Sequence, residues 1–195
     1  MKTLAWDVDD VLNSLMWAWF EDLKNSSRRE IKVVYEQLLE NPPHALLGMT
    51  LNQYLDSLDE FRLSGRYAQL EPNREILNWF HAHGHRCRHL ALSAVPLAAA
   101  HISAAWVLKH FGKWIRTFAF VPSKRAGETI PEYDRAKADY IGWHGKVDIL
   151  LDDNPEHIEQ ATQIGIQGIL IAQPWNGGKS ALPAALASLT KAVGN

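Results

Sequence analysis

The feature that most constrains the fold is a pair of short apolar runs that end directly in aspartates. Leu4-Ala5-Trp6 precedes Asp7-Val8-Asp9-Asp10, and a run from Val147 to Leu151 precedes Asp152 and Asp153. Runs this short fit buried β-strands better than helices, and near-continuous apolar strands are typical of parallel sheets. The sequence therefore predicts two strands whose carboxyl ends carry acidic side chains.

Candidate strands and helices alternate from Glu71 onward. Pro155 fits the first turn of a helix, because a proline lacks only an N–H that would be unpaired there. The alternation predicts an α/β fold, a Rossmann-like parallel sheet with helices on both faces. The predicted elements are helices at Arg74 to His83 and Leu97 to His110, and strands at His89 to Leu92 (ending at Ser93), Thr117 to Val121 and Gly168 to Ala172, before a carboxy-terminal helix from about Ser180.

Residues 14–70 show helical spacing without a strand-like run. Leu15, Trp19 and Leu23 follow such a spacing, and a second helical pattern runs from Val34 to Leu39. We expect a small helical insert at 14–70, with 1–13 and 71–195 forming the α/β core. Its aromatic residues should mostly pack the insert, although one of them could stack on a base or line a pocket: Trp17, Trp19, Phe20, Tyr35, Tyr54, Phe61 and Tyr67.

Composition narrows the class of protein. With 195 residues, 47% hydrophobic and 22% charged, the chain has the size of one domain with a core of its own. The single cysteine, Cys87, excludes an internal disulfide, and a net charge of -2 with scattered basic residues disfavours binding to a nucleic acid polymer. No apolar run is long enough to cross a membrane, and the first residues lack a signal-peptide core. We expect a soluble cytoplasmic protein whose partner is a small molecule.

Parallel strands bring their carboxyl ends to one edge of a sheet, where ligands bind. Up to five carboxylates would meet there, and like charges at close range require a cation or raise one another's pKa. All-oxygen ligation favours Mg²⁺ over zinc. A single acidic patch could be only a turn or a helix cap, but two patches at the same edge make that interpretation weaker.

The same residues resemble the motifs of the haloacid dehalogenase (HAD) superfamily. Asp7-Val8-Asp9-Asp10-Val11-Leu12 is similar to its first motif, Ser93 to its second, Lys137 to its third, and Asp152-Asp153 to its fourth. The resemblance covers the core, and the insert lies where the family has a cap. Within the superfamily the chain looks most like the 5'(3')-deoxyribonucleotidase group, with Asp10 where many members have glycine.

This resemblance implies a Mg²⁺-dependent phosphatase that forms an aspartyl-phosphate on Asp7. Asp9 would act as general acid and base, while Ser93 and Lys137 would bind the transferring phosphoryl group. Lys124 follows another predicted strand and is an alternative to Lys137. Backbone N–H groups of the turn at Asp10 would add to phosphate binding.

The resemblance also implies the metal ligands and the substrate class. Asp7, the main-chain carbonyl of Asp9 and Asp152 would hold Mg²⁺, with Asp153 bound through water or orienting the others. The substrate would be a small phosphomonoester, expected to be a (deoxy)nucleotide. A sugar phosphate or another metabolite is the alternative, as is a catalytically silent HAD-like binding protein. The oligomeric state stays open.

Two other motifs are weaker. The histidines between His81 and His89, with Cys87, include good zinc ligands, but they span a helix end, a turn and a strand start and would point in different directions. Gly177-Gly178-Lys179-Ser180 is similar to the end of a phosphate-binding P-loop, but Gln173 stands where that motif needs its first glycine. We predict a structural role for both.

Overall fold

The computed structural model describes residues 1–26, 31–177 and 181–194 and contains a five-stranded sheet. Its strands are β1 (Thr3–Trp6), β2 (Arg88–Val95), β3 (Ile115–Pro122), β4 (Ile149–Asp152) and β5 (Gln167–Leu170). The order of the strands is β3-β2-β1-β4-β5, so the first strand of the chain lies at the centre of the sheet. All four neighbouring pairs of strands are parallel.

Helices cover both faces of this sheet. Leu4 and Trp6 of β1 belong to a hydrophobic cluster on one face, whereas Ala5 belongs to a cluster on the other, as the two-residue period of a strand requires. The first cluster includes side chains of the helices Arg74–His83, Leu97–Phe111 and Leu182–Val193, and the second includes side chains of the helices Lys137–His144 and Pro155–Gln163. The predicted α/β fold is confirmed. The helices are α1 (Leu15–Ser26), α2 (Leu51–Leu63), α3 (Gly65–Ala68), α4 (Arg74–His83), α5 (Leu97–Phe111), α6 (Lys137–His144), α7 (Pro155–Gln163) and α8 (Leu182–Val193).

The strand register explains why the acidic residues meet. Trp6 of β1 is level with Ala91 of β2 and Leu151 of β4. Asp7 and Asp152, one residue further along, therefore lie side by side at the carboxyl edge. The expectation that β2 ends at Ser93 was wrong, because this strand continues to pair with β3 as far as Val95.

The insert is helical in α1, α2 and α3, but the second helix predicted within it was wrong. Between residues 31 and 50 the chain forms only a short 3₁₀ turn, Tyr35–Gln37. Leu38 is fully buried whereas Leu39 is 68% exposed, so the apolar positions do not form one continuous helical stripe. A single helical turn is unstable unless it buries a continuous apolar face, so the chain does not extend into a longer helix here.

The insert packs directly on the sheet layer. Side chains of α1 and α2, such as Phe20 and Phe61, share one hydrophobic cluster with β1 and α5. Trp106 of α5 also donates its indole N–H to the carbonyl of Leu70, at 2.7 Å. The division at residues 14–70 remains a prediction. None of the helices in the described part of the chain is long and apolar enough to cross a membrane. Gly178, Lys179 and Ser180 of the glycine-rich segment lie outside the described residues.

Candidate active site

A turn with non-helical backbone angles at Asp9 and Asp10, Val8–Leu12, follows β1. It is closed by a hydrogen bond from the N–H of Asn13 to the carbonyl of Val8, at 3.1 Å. Within it Asp10 has a φ of 62°, the left-handed region that aspartate tolerates better than most residues. Its carboxylate accepts from the N–H of Met16 at 2.9 Å and so caps the start of α1. The turn aims the side chains of Asp7 and Asp9 in different directions.

Asp10 also makes backbone contacts within and beyond the turn. Its backbone N–H donates to Oδ1 of Asn13 at 3.2 Å, so it is engaged within the turn. Its carbonyl accepts from Gln173 at 2.6 Å. Asp10 therefore stabilises the turn and α1, and its assignment to phosphate binding stays a prediction.

A buried lysine joins the two acidic motifs. Lys137, the first residue of α6, is 1% exposed, and its Nζ lies 2.7 Å from Oδ1 of Asp7 and 2.7 Å from Oδ2 of Asp152. Burial alone would lower the pKa of Lys137, but the two carboxylates outweigh burial and raise it. The lysine therefore holds a positive charge between the two aspartates.

Lys124, the alternative phosphate lysine, lies elsewhere. Its side chain is 46% exposed and forms an ion pair with Glu132. Of the two lysines, the structure places Lys137 against Asp7.

Three carboxylates form a compact group at the carboxyl edge. Ligand atoms of Asp7, Asp152 and Asp153 all lie within 4.8 Å of one another. Burial, followed by the charge of Asp7, raises the pKa of Asp153 well above its ordinary value. Burial likewise raises the pKa of Asp7 to about 6, and Lys137 only partly offsets this.

Asp152 behaves differently from its neighbours. Burial would raise its pKa, but Lys137 and His157 outweigh burial and lower it. Nδ1 of His157 lies 3.1 Å from its Oδ1, and the N–H of Asn154 donates to the same oxygen at 2.9 Å. Asp153 instead accepts from the indole N–H of Trp175 at 2.9 Å. A buried, all-oxygen group with excess negative charge fits Mg²⁺.

The alternative zinc site at the histidine run is not formed. Within the described ranges, the trio of Asp7, Asp152 and Asp153 is the one group of three or more such side chains close enough to share an ion. Both ring nitrogens of His89 have hydrogen-bond partners in the core. Its Nδ1 accepts from the indole N–H of Trp6 at 3.1 Å, and its Nε2 lies 2.8 Å from the carbonyl of Gly84. Burial lowers the pKa of His89, in keeping with a neutral ring.

The carboxylate of Asp9 lies outside the metal-ligand group and faces the insert. Its Oδ1 accepts from the hydroxyl of Tyr67 at 2.7 Å and from Nδ2 of Asn13 at 3.1 Å. Its Oδ2 lies 3.1 Å from a guanidinium nitrogen of Arg62 on α2. The helical insert therefore supplies two of the groups that orient Asp9.

Ser93 lies on β2 beside this edge. Its side chain is 1% exposed, and its Oγ has no hydrogen-bond partner among the described residues. A buried hydroxyl is normally paired, so an unpaired one at this position is consistent with an acceptor brought by a ligand.

A cavity of about 320 Å³ opens above Asp7, Asp9 and Asp153. Apolar side chains of α1 and α2 line one part of it, including Leu15 and Leu58. The polar side chains in its lining include Arg62, Ser123, Arg125, Asn154 and His157. A larger cavity, about 660 Å³, lies at the opposite edge of the sheet around Trp114, but no carboxylate lines it. The smaller cavity is the one beside the acidic cluster.

Sequence reasoning missed Arg62 and His157, and it named Tyr67 only as one of several aromatic residues. His157 follows Asp152-Asp153 on α7, and a signal could have come from its position in the first turns of a helix that begins beside the motif. Arg62 is 53 positions from Asp9 in the chain, and no local pattern links the two.

No family model matches the chain, and no curated protein matches it in sequence. Solved structures do match. A haloacid dehalogenase-like family hydrolase from Streptococcus pneumoniae superposes with a TM-score of 0.58 at 10% identity, covering 96% of this chain and 90% of that protein. A HAD-superfamily hydrolase of subfamily IA from Geobacter sulfurreducens gives 0.57 at 11% identity, with coverages of 100% and 97%. Protein tyrosine kinase A from Mycobacterium tuberculosis gives 0.64 at 12% identity, with coverages of 100% and 98%.

The chain has the HAD fold. At these identities the likeness shows the fold alone, and the matched structures include both hydrolases and a kinase. The activity of a HAD-fold protein has to be argued from its site.

Proposed function

We propose that this HAD-fold protein is a Mg²⁺-dependent phosphatase that hydrolyses a small phosphomonoester through an aspartyl-phosphate on Asp7. The observation that carries the proposal is the state of the Asp7 carboxylate. Its Oδ1 is held by Nζ of Lys137 at 2.7 Å and by the N–H of Val8 at 2.8 Å. No described residue donates a hydrogen bond to Oδ2, and Asp7 borders the cavity. A fixed carboxylate with one free oxygen suits a nucleophile.

Asp7, Asp152 and Asp153, with the main-chain carbonyl of Asp9, would hold the Mg²⁺ ion. The ion would neutralise charge on the transferring phosphoryl group, which is the main requirement of phosphoryl transfer.

The reaction then proceeds in two displacements. Oδ2 of Asp7 forms a bond to phosphorus as the bond from phosphorus to the ester oxygen breaks. Asp9 gives a proton to that ester oxygen, so the alcohol leaves neutral. Asp9 then takes a proton from a water molecule, whose oxygen attacks phosphorus and releases inorganic phosphate from Asp7. The first displacement uses the proton of Asp9 and the free carboxylate of Asp7, and the second displacement restores both.

Two further residues would stabilise the phosphoryl oxygens. The unpaired Oγ of Ser93 would donate a hydrogen bond, and Lys137 would offset negative charge from beside Asp7. Both interactions are strongest where charge builds up and water is excluded.

The substrate proposal covers two chemical classes, nucleoside monophosphates and sugar phosphates. Of the insert's aromatic residues, only Tyr54 lines the cavity, and it is 3% exposed. Trp19, Phe20 and Phe61 are buried in the hydrophobic cluster instead. Base stacking therefore has at most one candidate among the lining residues, and the substrate panel must include both classes.

The test is phosphate release from nucleoside monophosphates, sugar phosphates and aryl phosphates, with Mg²⁺ or with chelator. We expect Mg²⁺-dependent release from the wild type and none from Asp7→Asn. Asp148→Asn is the matched control, because Asp148 is exposed and pairs with the N–H of Thr3 at the other end of the sheet. Equal turnover by Asp7→Asn would overturn the assignment. Absence of release by a folded, Mg²⁺-binding protein would favour the silent binding alternative.

A further inference from the structure

Arg62 of α2 is a buried cation with incomplete hydrogen bonding. It is 7% exposed, and its guanidinium nitrogens lie 3.1 Å from Oδ2 of Asp9 and 3.3 Å from Oδ1 of Asp59. Its Nε is buried and has no partner among the described residues. A buried donor without an acceptor is costly, and a charged one more so.

A second guanidinium lies beside it. Arg125, in the loop after β3, donates from one terminal nitrogen to Oδ1 of Asp59 at 2.8 Å and from the other to the carbonyl of Ser123 at 3.0 Å. Asp59 is therefore the shared ion-pair partner of Arg62 and Arg125. Both Arg62 and Arg125 line the cavity that contains Asp9.

The proposed reaction removes one acceptor from this network. Oδ1 of Asp9 is already held by Tyr67 and Asn13, so Oδ2 is the oxygen that would serve the ester oxygen of the substrate and would be drawn away from Arg62. Arg62 and Arg125 would then share the single carboxylate of Asp59. Breaking a buried ion pair leaves an uncompensated charge, which is strongly unfavourable unless another anion takes the vacated place.

We infer that Arg62 and Arg125 form an anion subsite that binds a second negatively charged group on the alcohol part of the substrate. The inference rests on the proposed function and narrows its substrate class. A carboxylate or a second phosphate would accept from Nε of Arg62 and replace Asp9 as its partner, which frees Asp9 for the ester oxygen. Guanidinium forks bind both of these anions well.

The geometry also limits the distance between the two anionic groups of the substrate. Arg62 contacts Asp9 directly at 3.1 Å, so the second anion must lie close to the ester oxygen that Asp9 serves. The cavity, of about 320 Å³, is large enough for a short metabolite with two anionic groups. A neutral alcohol of the same length would leave Nε of Arg62 unpaired.

The test compares three esters of matched length: phosphoglycolate, 2-hydroxyethyl phosphate and 1,2-ethanediol bisphosphate. We expect kcat/KM for phosphoglycolate, for the bisphosphate or for both to exceed that for 2-hydroxyethyl phosphate by about tenfold or more. A polar subsite rejects ligands that leave its hydrogen-bonding groups unpaired, and 2-hydroxyethyl phosphate has no second anionic group. The better of the two anionic esters identifies carboxylate or phosphate as the second group. Arg62→Met should abolish the preference, and Arg62→Lys should restore part of it.

Two further variants separate recognition from folding. Asp59→Asn removes the competing carboxylate, so KM should fall for phosphoglycolate and the bisphosphate but not for 2-hydroxyethyl phosphate, which has no second anionic group. Arg66→Met is the matched control, because Arg66 is paired with Asp22 on the surface and lies outside the cavity lining. It should leave the preference unchanged.

Failure of the subsite differs from failure of the proposed function. Mg²⁺- and Asp7-dependent hydrolysis with equal kcat/KM for all three esters would overturn the subsite alone. If no ester is hydrolysed, calorimetry with the non-hydrolysable phosphonoacetate and ethylphosphonate decides separately. Tighter binding of phosphonoacetate that is lost in Arg62→Met supports the subsite, and equal binding overturns it.

Discussion

Lys137 shows how one residue organises the acidic edge. A lysine that is only 1% exposed is unusual in a protein core unless its charge is paired. Here Asp7 and Asp152 each lie 2.7 Å from its Nζ. Coulombic attraction in a poorly solvated site is strong enough to keep the ammonium charged. The same contacts fix the rotamer of Asp7, so the lysine also positions the proposed nucleophile.

Replacing Lys137 by methionine should therefore destabilise the fold as well as stop turnover. The variant leaves two buried carboxylates without their cation, and we expect the free energy of unfolding in chelator to fall by about 3–5 kcal/mol. Lys124→Met removes only an exposed pair and should cost about 0–1 kcal/mol. Urea unfolding and phosphate release measure both effects. Similar stabilities of the two variants would contradict the pairing described for Lys137.

The acidic edge was predictable from sequence because parallel strands bring their carboxyl ends together. Asp7, Asp152 and Asp153 follow recognisable apolar runs, so their meeting needed no knowledge of side-chain packing. The contact of Asp10 with α1 was not predictable in this way, since it depends on a left-handed backbone angle that no apolar run indicates. Arg62 was beyond reach, because its contact with Asp9 exists only once α2 packs over the sheet.

At the scale of elements, α2 and α3 contribute to the site as well as covering it. Arg62 on α2 and Tyr67 on α3 both contact Asp9, and Tyr67 also lies 3.2 Å from Oγ of Ser103 on α5. Burial, followed by the charge of Asp9, raises the pKa of Tyr67, so its hydroxyl keeps its proton and donates. The position of Asp9 is thereby tied to the packing of the insert on α5.

Tyr67→Phe tests this connection. Removal of the hydroxyl takes one donor from Asp9, and we expect kcat to fall about tenfold, with stability reduced by about 1–2 kcal/mol. Tyr140→Phe is the control, since Tyr140 lies on α6 and outside the lining of the cavity. Steady-state kinetics on an aryl phosphate, together with urea unfolding, separates the two effects. A fall in kcat that is equal in both variants would refute a specific role for Tyr67.

Element prediction failed where propensity and packing disagreed. The strands were found because each is a short, nearly continuous apolar run, and α4 matches its predicted bounds, Arg74–His83. The segment from Val34 to Leu39 has apolar residues at helical spacing, but only some of them reach the core. Sequence spacing alone cannot show which apolar positions tertiary packing will bury.

At the scale of the whole molecule, the carboxyl edge carries more negative charge than the fold neutralises by itself. Lys137 supports Asp7 and Asp152, but Asp153 and Asp10 are buried without an ion-pair partner among the described residues, and burial raises the pKa of both well above the ordinary value. A group whose pKa is higher in the folded state than in the unfolded state binds more protons when folded. Stability then falls as pH rises from the unfolded pKa to the folded one.

The raised pKa values predict that the free energy of unfolding in chelator falls as pH rises, and that Mg²⁺ restores stability at high pH. The pKa of Asp7 rises from 3.8 to about 6, so in chelator its contribution to the free energy of unfolding should decline between those two pH values and stay low above them. Asp7→Asn has no such titration, and His89, whose pKa is lowered, affects both proteins alike. The decline should therefore be steeper in the wild type than in the variant, as measured by urea unfolding at intervals of pH.

Saturating Mg²⁺ at pH 7.5 should raise the stability of the wild type, because the ion binds the ionised carboxylates of the folded state and not the unfolded chain. Parallel pH profiles for wild type and Asp7→Asn, or no stabilisation by Mg²⁺, would mean that the carboxylates at this edge do not form the charged metal-binding group that their geometry indicates.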